Sequence, residues 1–287
     1  CGMEKLMDIK CRYSGLIPSC VVMVTSIRAL KMHSGKYKVV AGRPLDPGLT
    51  SEDVEAVEKG SENMIKQIEN ARLFGVPVVV TINLFASDTD REVETVRRIA
   101  LENGAFAAEV SEVWEKGGEG GINLAEAVVR ACDEPQDFRF LYPLDIPIKE
   151  KIEIIATKIY GADGVIYEPK AEDGIKRFTD LGWDKQPIWK AKTHLSLSHD
   201  PKLKGRPRGF KLPIRDIRPS IGAGFLYPLC GEMSTMPGLP SEPAGNKVDI
   251  DHQGRVVGLF YGRPHDLRFS NNWGRSGGIN SCSNFAG

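Results

Sequence analysis

The stretch TINLFASDTD, residues 81–90, follows a run of β-branched residues and precedes a charged helix. Asn83 and Asp88 are spaced like the base-reading end of a nucleotide-binding fold. An Asn at a strand end can hydrogen-bond a base edge, and an Asp a few residues later can accept from the base or cap the next helix. Taken alone, Asp88 reads first as that N-cap. Phe85 can stack on a flat ring or pack in the core. A second stretch, VWEKGGEGG, puts Trp114 before Gly117 and Gly118 in a turn that opens a helix. The indole can stack a ring, and the loop N–H groups can approach an anion. The bland alternative is a flexible loop with a buried Trp; GxGxxG does not fit.

RALKMHSGK sets Arg28, Lys31, His33 and Lys36 just after a strand end, where they can neutralise phosphate or carboxylate. AKTHLSLSHDPKLKG, residues 191–205, gathers Lys192, His194, Ser196 and His199. Two histidines with Lys and Ser favour a polar site. No Ser-His-Asp order or GxSxG elbow is present, which argues against a hydrolase. The phosphate-wrapping loop GxxxxGK[ST] is absent. The base-reading half of a nucleotide fold is therefore here without the phosphate-cradling half.

These groups need strand ends to hold them. CVVMVTS, residues 20–26, is a continuous apolar run that fits a strand buried on both faces. Residues 51–73 predict a helix capped by Ser51 and ended by Gly75, with Gly60 a weak point inside it. VPVVVTI, 76–82, predicts a second buried strand. Residues 89–103 predict a helix capped by Asp88 and stopped at Gly104. FAAEV, 106–110, predicts a third strand, and 122–132 a third helix. Strands alternating with helices imply a parallel sheet with ligands at the carboxyl ends of its strands.

Asp133–Asp137 reads as a linker. Beyond it the sequence predicts a helix at 147–160, a strand at VIYEP, a helix at 170–181 and a strand at PIWKAK. A long Gly/Pro-rich stretch and a hairpin over 247–260, around His252-Gln253-Gly254, follow. Residues 261–287 are rich in Gly, Ser and Asn without a period and predict disorder. The division expected is 1–134, 135–260 and a tail from 261. The fold class expected is α/β: an incomplete doubly wound parallel sheet of P-loop NTPase type with a smaller α+β C-terminal domain.

Of 287 residues, 41% are hydrophobic, enough for a sizeable core. Lys+Arg and Asp+Glu both total 38. The net charge of zero gives no general pull toward nucleic acid or membrane. No apolar run approaches the roughly 20 residues of a membrane span, and the N-terminus lacks a signal-peptide pattern. It does not open with Met, which suggests a longer parent chain. The six cysteines (Cys1, Cys11, Cys20, Cys132, Cys230, Cys282) form no CxxC pair or zinc spacing. They read as reduced thiols of a cytoplasmic protein, and no metal-ligating residues are assigned.

MEKLMDIKCRYSGL, IRALKMHSG, FGVPVVVTINLFASDTD, VWEKGGEGG, KIYGADGV, AKTHLSLSHDPKLKG and GAGFLYPLCGEMSTMPGLP, taken in this order, resemble formate–tetrahydrofolate ligase, or formyltetrahydrofolate synthetase. The same module ends the trifunctional C1-tetrahydrofolate synthases. The resemblance runs from about residue 2 to Phe260, and GLPSEPAGNKVDID is closer to the single-function bacterial style. It implies that ATP with Mg2+ phosphorylates formate to formyl phosphate, whose formyl carbon is attacked by N10 of tetrahydrofolate. It also implies monovalent-cation activation and a homo-oligomer. Phe85 and Trp114 match the family's aromatic slot, and Val110 its aliphatic wall, one helical turn before Trp114. Asn83, Asp88, Gly117 and Gly118 match the nucleotide-fold segments. Arg28, Lys31 and His33 match a loop near the reacting centre, where their charge suggests catalytic roles.

The chain departs from the family in four places. The P-loop part is missing, so the isolated chain is expected to lack ligase activity. The reading is a truncated ligase; the alternatives are a binding module for folate or adenine, or a structural fragment without catalysis. Ser34 stands for a glycine where backbone can need positive φ. Trp189 and Lys190 replace smaller or apolar residues, which predicts overpacking or a buried charge. The tail beyond GLF is explained most simply by a frameshift, read-through or cloning scar.

Overall fold

The computed structural model describes residues 2–39, 45–189, 196–231, 242–253 and 256–257. Among these, 2–39 group with 46–189 and 196–231 into one compact unit, and 45 groups with 242–253 and 256–257 into a second. The expected linker at Asp133–Asp137 lies inside the larger unit. The expected disorder of 261–287 falls outside the described residues, as do Lys190, Lys192 and His194.

The larger unit opens with α1 (Met3–Lys5) and α2 (Cys11–Ser14), joined by a π-helical turn over Leu6–Lys10. Next come β1 (Val21–Thr25), α3 (Ile27–His33) and α4 (Val54–Arg72). β2 (Val78–Asn83), α5 (Asp90–Glu102) and β3 (Ala107–Ser111) follow, then α6 (Val113–Lys116) and α7 (Ile122–Cys132). The strands form a parallel sheet in the order β1-β2-β3, with Thr25 opposite Ile82 and Asn83 opposite Ser111. Alternation along β2 sorts the faces. Val78, Val80 and Ile82 pack with Ile27 and Leu30 of α3, Met64 and Ile68 of α4, and Val96 and Ile99 of α5. Val79 faces the other way, onto Ala127 and Ala131 of α7.

β1 departs from expectation. Alternate residues are exposed, Val24 by 67%, because β1 is the edge of the three strands and α7 packs against β2 and β3. An apolar run therefore ends as a half-covered edge.

Two helix caps shift by one or two residues. Asp53, not Ser51, caps α4 by accepting from the Ala56 N–H. Thr89, not Asp88, caps α5 in a reciprocal capping box with Glu92. Gly60 has a packing reason: a Cβ there would lie 1.7 Å from the Leu30 carbonyl oxygen, where α4 crosses α3. Ser34 is unstrained at φ −61° and caps α3, while the left-handed residue is Gly35 at φ 83°.

A second sheet follows α8 (Ile148–Ile154), whose helix runs on through a π-turn over Ile155–Ile159. β4 (Gly164–Tyr167), α9 (Pro169–Asp180), β5 (Lys211–Ser220) and β6 (Phe225–Cys230) complete it, in the order β4-β5-β6. β5 is parallel to β4 and antiparallel to β6. Its core joins Ile152 and Ile155 to Phe178, Ile214 and Leu226, and also takes in Met7, Phe74 and Val76. Of the expected strand at PIWKAK, the described part is a single bridge from Ile188 to Leu226. Trp189 is half-buried, with the Lys5 ammonium 4.9 Å from its ring centre. This is a cation–π contact. In the smaller unit, β7 (Asp249–Ile250) and β8 (Val256–Val257) form the expected antiparallel hairpin. No helix among the described residues is long and apolar enough to cross a membrane.

Candidate functional site

Thr25, Asn83 and Ser111 end the three parallel strands side by side. The chain leaves β2 through a closed turn. The Asp88 N–H donates to the Phe85 carbonyl at 2.9 Å, and the Phe85 N–H donates to Asp88 Oδ2 at 2.9 Å. Asp88 therefore shapes the turn that presents Phe85. Burial raises its pKa; the Phe85 N–H and nearby Arg28 pull the other way. Arg28 reaches across from α3, donating to Ser87 Oγ at 3.1 Å with its guanidinium 4.4 Å from the Phe85 ring centre.

Trp114 on α6 faces the same ring. The centroids are 6.5 Å apart and the planes 27° from parallel. The indole N–H donates to the Leu84 carbonyl at 2.6 Å, which fixes the ring plane, and the residue is 48% exposed. The loop behind it needs its glycines unequally. Gly117 takes φ 62°, and a Cβ on Gly120 would lie 2.6 Å from the Glu112 carbonyl. Gly118 has open space around it. Val110 lies on strand β3 rather than one helical turn before Trp114, and packs partly against the helix-side core.

Beside Phe85 a cavity of about 320 Å³ opens between the ends of β1 and β2 and the helices α3 and α4. Thr25, Ser26, His33, Asn63, Gln67 and Asn83 supply its polar wall; Met23, Leu30, Met64 and Phe85 supply apolar wall. Among the described residues, no Lys, Arg, Asp or Glu lines it. His33 is the one residue of the RALKMHSGK block with a titratable side chain on this wall. Burial lowers its pKa, and Lys204 adds to that.

Lys31 is elsewhere. Its ammonium is 2.6 Å from Glu92 Oε1 and donates to the Ser51 carbonyl at 2.6 Å, with both side chains fully buried. The expectation put Lys31 in a loop near the reacting centre with a role suggested by its charge; here that charge is closed on Glu92. Lys36 pairs with Asp53 at 2.6 Å, at the cap of α4.

Asn63 and Gln67 carry no sequence motif. They sit with Lys66 and Asn70 on a polar stripe of α4 at spacings of three and four, which reads as a solvated face. The stripe instead meets the 196–206 segment and the residues after α8: Asn63 donates to Ser196 Oγ at 2.9 Å and Asn70 to the Ile159 carbonyl at 2.9 Å. Of the polar block at 191–205, Ser196 is thus placed against α4.

Comparison with known proteins fits this arrangement to a family. The family described as formate–tetrahydrofolate ligase matches residues 1–260. The formate–tetrahydrofolate ligase of Desulforamulus reducens is 61% identical over 259 residues, covering 90% of this chain and 46% of the relative. That of Roseiflexus castenholzii is 54% identical over 258 residues, with the same coverage. The cytoplasmic C-1-tetrahydrofolate synthase of Mus musculus is 55% identical over 260 residues, covering 90% of this chain and 28% of the relative. The chain thus spans about half the length of the bacterial relatives and less of the mouse one. With the match running through both sheets, it belongs to the formate–tetrahydrofolate ligase family.

Proposed function

We propose that this chain carries the ring-holding part of an ATP-dependent ligase that joins formate to tetrahydrofolate, with formyl phosphate as intermediate. The observation that carries the reading is the near-parallel pair Phe85 and Trp114 at 6.5 Å, at the carboxyl end of a parallel sheet. Contact between stacked carbon atoms needs about 3.5–4.0 Å, so a small outward movement of the half-exposed indole admits one flat ring. Each aromatic face contributes about 0.5–1.5 kcal/mol of stacking. Two observations support the reading: Asn83 lies on the wall of the adjacent cavity, where its amide would meet a heterocycle edge, and the Arg28 guanidinium lies 4.4 Å from the Phe85 ring centre.

ATP, Mg2+ and a monovalent cation are proposed from family membership. The residues present do not fit a magnesium–triphosphate cradle. The sequence has no GxxxxGK[ST], and the described residues hold no group of three or more His, Cys, Asp or Glu able to hold a metal. The same absence of donors favours a second reading, a folate- or adenine-binding module without catalysis. A cytoplasmic location, as in the mouse relative's name, and homo-oligomeric assembly belong to the first reading.

The test has two arms. Tetrahydrofolate is expected to quench Trp114 fluorescence, with Trp114→Phe as control because Trp183, Trp189 and Trp273 also emit. Formate- and ATP-dependent 10-formyltetrahydrofolate, read as the methenyl form in acid, is expected only when the N-terminal half of a bacterial relative is added. Turnover by the chain alone refutes the missing cradle. Quenching without product in either mixture favours the binding module, and no quenching sinks both.

A further inference from the structure

His33 is held from two sides. The Gly205 N–H points at its Nδ1, 3.4 Å away. A nitrogen that accepts from an amide has no proton of its own, so the ring is neutral and its one proton sits on Nε2. The amide is itself pinned: Asn63 donates to the Gly205 carbonyl at 2.8 Å and to Ser196 Oγ at 2.9 Å. Arg206 makes a two-pronged ion pair with Glu69 at 2.8 and 2.7 Å, and Lys204 donates to the Tyr37 carbonyl at 3.2 Å. Segment 196–206 is therefore tied to α4 and to the chain after α3. Gly205 has no substitute there: it takes φ 67°, and a Cβ would come within 3.1 Å of the His33 carbonyl oxygen.

Among the described residues, the cavity wall around His33 is polar and carries no Lys, Arg, Asp or Glu. Such a wall suits a neutral planar group bearing a carbonyl oxygen or an unprotonated ring nitrogen. It does not suit a phosphate, which calls for a cation.

We infer that His33 is a fixed Nε2–H donor to an acceptor atom of a neutral heterocycle in this cavity, and that Asn63 and Gly205 are the positioning residues that select this tautomer. The donor role rests on the ring-slot reading above; the tautomer does not. Lys204 is the charged group that bears on the ring and reinforces its neutral form.

The test is the 15N spectrum of the intact chain labelled at histidine, with His33 assigned by its loss in His33→Gln. A pyridine-like Nδ1 and pyrrole-like Nε2 at neutral pH are expected. Asn63→Ala should blur the two signals into a tautomer mixture and raise the His33 pKa toward the ordinary value of about 6.5. A protonated Nδ1 in the unmodified chain overturns the inference whatever the variant does, and so does an Asn63→Ala ring with unmoved signals. Tetrahydrofolate should shift Nε2, and inorganic phosphate should not. Quenching of Trp114 with Nε2 unmoved overturns the donor role and spares the slot; absent quenching sinks the slot and leaves the tautomer standing.

Discussion

Removing the Lys31 ammonium separates a structural role from a catalytic one. In Lys31→Met the apolar stem is kept and the charge is lost. Glu92 is then a fully buried carboxylate whose cation, 2.6 Å away, is gone. Two backbone donors remain, the Asp53 N–H at 2.8 Å and the Thr89 N–H at 3.2 Å. The Ser51 carbonyl also loses its donor. Breaking one side of a buried pair costs about 3–5 kcal/mol, a large share of the roughly 5–15 kcal/mol that holds a domain folded. Urea denaturation followed by far-UV circular dichroism reads this as a lower midpoint at unchanged slope. Lys31→Met/Glu92→Gln removes the stranded charge and should show a coupling of roughly 0.5–3 kcal/mol in a double-mutant cycle. A loss of less than about 1 kcal/mol in Lys31→Met, with weakened tetrahydrofolate quenching, would refute the reasoning and return Lys31 to the ligand site.

Gly60→Ala should lower Tm although alanine favours helix by about 1 kcal/mol, because its Cβ would overlap the Leu30 carbonyl and push α3 from α4; an unchanged or raised Tm contradicts that crossing. Asp8 is fully buried, and desolvation raises its pKa to about 7. The folded state therefore holds this proton more tightly than the unfolded chain, so its contribution to stability is full below about pH 4 and is lost as pH rises toward 7. Asp8→Asn should flatten the pH dependence of stability across that window, measured by denaturation at several pH values; an unchanged profile would show that Arg12 keeps Asp8 ionised. Trp114→Ala should weaken tetrahydrofolate binding roughly tenfold, the equivalent of about 1.4 kcal/mol from one aromatic face, as read by isothermal titration calorimetry. Val24→Lys on the exposed edge of β1 should reduce self-association in light scattering without changing Tm.

The alternating pattern of the first sheet was legible because its apolar runs and helical stripes are bounded by glycines at Gly75 and Gly104, both at positive φ. β5 and β6 were not legible. Pro213, Pro219 and Pro228 break the strand signature, and pairing with distant partners makes the strands. The caps slipped because Asp and Thr beside a helix start compete on local geometry that composition does not encode. The aromatic pair at Phe85 and Trp114 was visible as two motifs, but their facing each other depends on contacts 30 residues apart, between the Leu84 carbonyl and the indole. Asn63 and Gln67 were invisible because a polar stripe looks the same whether water or a loop covers it.

The basic block after β1 shows how charge mispredicts chemistry. Four side chains that together read as an anion site are distributed among separate tasks. Arg28 lies over Phe85 and holds Ser87; Lys31 is closed on Glu92; Lys36 meets Asp53 at the cap of α4. Glu92 is also half of the capping box that starts α5, directly after the turn carrying Phe85 and Asp88. Arg28 and Lys31 thus converge on the same turn from α3, one through Ser87 and one through Glu92. Their charge fixes the frame of the turn that carries Phe85, and neither the Lys31 ammonium nor the Arg28 guanidinium lines the adjacent cavity. Of this block, His33 alone brings a titratable side chain to the cavity wall, and it is the residue whose chemistry a formal charge count leaves out.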